Sequence, residues 1–132
     1  MKGVTEYTLD VYRCPVIIVT NTDMEKVYKW LDRRFGERFT RYGDKPSTGQ
    51  CSHYPLNNGA HVCVIWLFHK DPVTIAHGTV HAAYMILDYV GVQHDLHNHE
   101  ALAYLQSHLM EVCLDTVRKQ QRKKRKKEKG KK

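Results

Sequence analysis

The sequence predicts a small α+β domain: a short mixed or antiparallel sheet packed on helices, followed by a basic C-terminal tail. Three observations carry this reading. Residues 15–20 and 62–68 are apolar, β-branched runs of strand length. Apolar side chains recur at helical spacing from Asp23 to Phe35, from Pro72 to Val90 and from His99 to Arg118. The chain has 132 residues and is 42% hydrophobic, enough for one modest core in one domain.

Residues 8–20 read as one strand, with Pro15 marking an edge position or a bulge. Asn21-Thr22-Asp23 offers N-cap chemistry for the first helix, and Gly36 ends it. Phe39–Tyr42 has the composition of a short strand, and Gly43–Gly49 that of a loop. Gln50–Leu56 and Ala60–His69 flank Asn57-Asn58-Gly59, a strong hairpin signal, and Val62–Phe68 should be a central strand. Asp71-Pro72 caps the second helix, which runs to Val90 and stops at Gly91. That helix is apolar almost all round, so it should be buried on more than one side, and histidines on it need a partner. Asn98 or His97 can cap the third helix, whose stripe is Leu102, Leu105, Leu109, Val112 and Val117.

The net charge of +7 is unevenly distributed. Residues 118–132 carry 11 Lys/Arg and one Glu, a charge of +10, whereas residues 1–117 carry −3. An acidic domain (1–117) therefore bears a basic extension (118–132), expected as a disordered or frayed helical tail. Arg118, Lys119, Arg122, Lys123, Lys124, Arg125, Lys126 and Lys127 are candidates for nonspecific nucleic-acid contact. No apolar run approaches the roughly 18 residues of a membrane span, and the first residues lack a secretory pattern, so a cytoplasmic protein is expected. The four cysteines form no C-x-x-C pair, and three of them lie among apolar residues, which reads as buried thiols rather than a zinc finger. A cysteine-nucleophile triad has no supporting local motif.

The chemistry concentrates on the second helix. His77 and His81 stand four residues apart and so stack on one helical face, with Val73, Tyr84 and Asp88. Two imidazoles so placed can grip one divalent ion, and Glu100, opening the next helix, can complete a three-ligand zinc site with an open fourth position. The alternative reading makes both histidines hydrogen-bonded core residues. The cluster His94, Asp95, His97 and His99 reads as a solvated loop.

The pattern His77-x-x-x-His81, followed by Asn98-His-Glu100-Ala-Leu-Ala-Tyr104, resembles the zincin metallopeptidases, in the branch whose third ligand is a helix glutamate (gluzincins). The chain is also similar to compact zincin-like proteins of the kind found among bacteriophage genes, which would place it in a host cytoplasm. The resemblance covers roughly residues 60–115 and implies a zincin-like domain with His77, His81 and Glu100 as zinc ligands. It departs at Gly78, where the family motif has its general-base glutamate. Loss of such a base costs about 10²–10⁴ in rate. Two outcomes follow: a degenerate peptidase kept for binding a protein or peptide, or a narrow-specificity metallohydrolase with a substitute base, for which His99 is the candidate. A third reading is a metal-free, nucleic-acid-associated accessory protein.

Overall fold

The computed structural model describes residues 1–41, 49–93 and 95–130. It is an α+β fold with a four-stranded mixed sheet and three helices: β1 (Val4–Leu9), β2 (Cys14–Val19), α1 (Met24–Phe35), β3 (Gly49–Pro55), β4 (His61–Leu67), α2 (Pro72–Tyr89) and α3 (Glu100–Gly130). The strand order is β1-β2-β4-β3. β1–β2 and β3–β4 are antiparallel pairs, joined in the middle by parallel pairing of β2 with β4.

The single strand expected over residues 8–20 is instead a hairpin. Residues 10–13 reverse the chain, with Arg13 in the left-handed region at φ 48° and its N–H bonded to Asp10 O at 3.3 Å. The alternation of Thr8 to Cys14 runs through the turn, so periodicity could not locate the reversal. Pro15 lies on an inner strand, one residue before the β2–β4 ladder begins at Val16↔Cys63, so that ladder does not ask for its missing N–H.

β2 and β4 are apolar on both faces because both faces are covered. Ile17, Val19, Val62, Val64 and Trp66 meet Val27, Tyr28 and Leu31 of α1. On the other face Val16, Ile18, Cys63, Ile65 and Leu67 meet α2 and α3. α1 starts where Asp23 accepts from Lys26 N, and it ends at Gly36 in the left-handed conformation. Phe39–Arg41 is not a strand: Phe39 is buried, and its N–H and the Arg41 guanidinium both bond Asp32. Tyr42 and the expected loop over residues 43–48 lie outside the described residues.

The Asn57–Gly59 hairpin and the Asp71 cap of α2 form as expected. α2 is buried against the sheet and against α3, and its third side is exposed. α3 runs antiparallel to α2. His108 contacts Tyr7 near one end of the sheet, Gln106 Nε2 donates to Thr79 Oγ1 at 3.2 Å, and Gln120 accepts from Thr20 Oγ1 at the other end. Neither Asn98 nor His97 caps α3. His99 O accepts from Ala103 N, while the Asn98 side chain bonds Gln93 O within the loop. α3 is helical to Gly130, with residues 121–130 exposed, so residues 118–130 of the basic extension form the outer part of this helix.

Candidate metal site on the second helix

The open side of α2 carries Val73, His77, Val80, His81, Tyr84 and Asp88, all exposed. The histidines therefore sit at the surface rather than in the core. Their Nε2 atoms are 3.2 Å apart, with the rings edge-on at 70°. Two nitrogens each about 2.0–2.1 Å from one ion, at a tetrahedral angle, are about 3.3 Å apart. The pair thus holds two nitrogens at chelating separation, and one N–H donates to the other nitrogen when no ion lies between them.

Glu100 is the exposed first residue of α3. The Thr79–Gln106 bond sets the helix register. With antiparallel helices and 1.5 Å per residue, Glu100 lies about one turn beyond His81 along the axis. Among the described residues no group of three or more His, Cys, Asp or Glu side chains converges on one point. The two imidazoles fit a zinc ion, and the carboxylate would have to reach back along the helix pair to join them. Asp95, His97 and His99 are exposed beside the start of α3, and His94 lies outside the described residues.

Gly78 is buried and faces the sheet: a Cβ built there would meet Ile65 Cγ2 at 3.5 Å. The position that holds the base in the metallopeptidase motif therefore looks into the core, away from the open face of His77 and His81.

A second histidine pair escaped sequence reasoning. His53 Nε2 and His61 Nδ1 are 2.8 Å apart, and His61 Nε2 lies 2.9 Å from Tyr12 O. A carbonyl only accepts, so His61 carries its proton on Nε2, and its Nδ1 accepts from the Nε2–H of His53. The Tyr89 ring stacks on His61 at 4.3 Å, and its hydroxyl donates to Gly59 O. This network ties the β1–β2 turn, the β3–β4 turn and the end of α2 together. Burial, then the adjacent His61, push the His53 pKa down to about 4, against the opposing pull of Asp88. The available signal was the hairpin register, which puts His53 opposite Cys63 and Pro55 opposite His61, making the two histidines diagonal neighbours.

All four cysteines lie on the sheet face under α2 and α3: Cys14, Cys63 and Cys113 in the core, and Cys51 packed against it. Burial, then the nearby Cys63, push the thiols of Cys14 and Cys113 up to about 12. Cys63 is held well above its ordinary value by the hydrogen bond with Cys51, at an Sγ separation of 3.4 Å, and by burial. Protonated thiols are poor nucleophiles, which removes chemical support for a triad on Cys63.

No family model, curated protein or solved structure matches this chain. Among the described residues no helix is long and apolar enough to cross a membrane.

Proposed function

We propose that the protein is a zincin-like metal-binding domain that takes one zinc ion on the open face of α2, through His77 and His81 with Glu100 as third donor. The observation that carries this reading is the 3.2 Å separation of the two Nε2 atoms on an exposed helix face. Bound zinc acidifies water and polarises carbonyls. With glycine at position 78 and that position turned to the sheet, ordinary peptidase chemistry lacks its base, so the domain's work is to bind a protein or peptide. The test is metal content by mass spectrometry on chain dialysed with zinc and then against metal-free buffer. About one ion per chain is expected, lost in His81→Ala and weakened in Glu100→Gln. Absence of metal from the unaltered chain refutes the reading, and retention by His81→Ala refutes the ligand set.

A second reading concerns the extension of α3, whose exposed Lys and Arg side chains favour nonspecific attraction to nucleic acid. Truncation after Val117 is expected to abolish such binding, because residues 1–117 carry −3. Binding retained by the truncated chain would count against it.

A further inference from the structure

α3 does not stop where the body stops. Among the described residues, its last hydrogen bond to the body is Thr20 Oγ1, just after β2, donating to Gln120 Oε1 at 2.9 Å, and the helix then continues, exposed, to Gly130. Charge on this extension is sorted by side. The line that faces the core, Leu109, Cys113 and Val117, continues at helical steps through Gln120, Lys124 and Glu128. Past Val117 that side carries two bases, Lys124 and Lys127, and one acid, Glu128. On the opposite side Arg118, Arg122, Arg125 and Lys129 follow at the same steps, four bases and no acid, over about 16 Å of helix. Asp115, the nearest acid upstream on that side, is taken up by Lys119 at 2.9 Å.

The composition narrows the partner. No apolar side chain follows Val117, so the extension has no face to sink into a lipid interface. No aromatic residue follows Tyr104, so it offers no stacking platform for single-stranded bases. What is left is a helical rod with a cationic outward face, the ridge Arg118–Arg122–Arg125–Lys129 flanked by Lys119, Lys123 and Lys126, anchored on an acidic body.

We propose that the ridge Arg118–Arg122–Arg125–Lys129 docks on the phosphate backbone of duplex DNA without reading its sequence. This rests on the nucleic-acid reading of the extension and adds a side and a duplex partner to it. The major groove of B-form DNA, about 12 Å wide, admits an α-helix, and the charges on such a helix reach the flanking phosphates. Four phosphate contacts give a slope of log affinity against log salt of roughly −3.6, at about −0.9 per contact.

The test is fluorescence anisotropy of a labelled short DNA duplex titrated with the full chain, from about 50 to 200 mM KCl. Two charge-matched variants are compared, Arg122→Gln/Arg125→Gln on the ridge and Lys124→Gln/Lys127→Gln on the inward side, with far-UV circular dichroism to confirm unchanged helix. The ridge variant is expected to flatten the slope by about 1.8, and the inward variant by less than half as much. Two duplexes of unrelated sequence should bind alike. Equal losses in both variants would overturn the ridge while leaving nucleic-acid binding intact. No binding by the full chain at the lowest salt would remove both. Tighter binding to phosphatidylserine vesicles than to duplex at equal salt would overturn DNA as the partner.

Discussion

Replacing Gly78 tests the packing of α2 and the meaning of the missing base together. A methyl group at this position would lie 3.5 Å from Ile65 Cγ2, an ordinary van der Waals contact. Alanine in a helix interior is favoured over glycine by about 1 kcal/mol, and a buried methyl adds up to about 0.8 kcal/mol. Gly78→Ala is therefore expected to stabilise the fold by about 1–2 kcal/mol, raising Tm by roughly 4–8 °C. Gly78→Glu should behave oppositely. Its side chain starts from a Cβ that faces a fully buried strand, and an unpaired carboxylate there costs at least about 3 kcal/mol. Burial raises the folded-state pKa of such a glutamate. The variant is least penalised below the unfolded value of about 4.3, and it loses stability relative to the parent as pH rises above it. Urea denaturation followed by tryptophan fluorescence, at acidic and neutral pH, measures both effects. A Gly78→Glu protein as stable as the parent at neutral pH would show that the side chain escapes to the histidine face. The separation of position 78 from the candidate site would then be wrong, and recovery of hydrolysis would become the question to ask.

Two further outcomes follow from particular side chains. His53 has a folded pKa of about 4, below the ordinary imidazole value of 6.5. The unfolded chain thus binds the extra proton between these values, and stability should fall as pH drops through that window. After allowance for solvent screening the loss is on the order of 1–2 kcal/mol. His53→Gln should flatten this slope in denaturation measured across the window, and an unchanged slope would show that another group carries it. At Asp32, burial raises the carboxyl pKa, but the bonds from Arg41 and Phe39 N outweigh it and the net shift is downward. Asp32→Asn should cost about 1 kcal/mol near neutrality. The difference should vanish as pH falls below about 3.9 and through the depressed folded value.

Legibility in the sequence followed the range of the interactions. The caps at Asp23 and Asp71, the stop at Gly36 and the Asn57–Gly59 turn are local chemistry, and all four appear where the residues place them. The shared face of Val73, His77, Tyr84 and Asp88 was readable too, because helical spacing alone decides it. The exposure of that face was not, since Ile75, Ala82, Ala83, Ile86 and Leu87 satisfy both the sheet and α3 and leave a third side exposed. The turn at residues 10–13 was hidden because it holds neither glycine nor proline and relies on Arg13 in a left-handed conformation. The His53–His61–Tyr12 chain needs three separate segments brought together, which no single window of sequence can display.

The sheet's pairing pattern has a consequence for the order of folding. Each outer pair is a local hairpin, closed at Leu9↔Cys14 and at Pro55↔His61. Joining them requires the parallel register from Val16↔Cys63 to Val19↔Trp66, across the whole segment that contains α1. Closing that long loop is entropically costly before any apolar contact between β2 and β4 repays it. The two hairpins should therefore form early and independently, and their docking through the inner strands should set the folding rate.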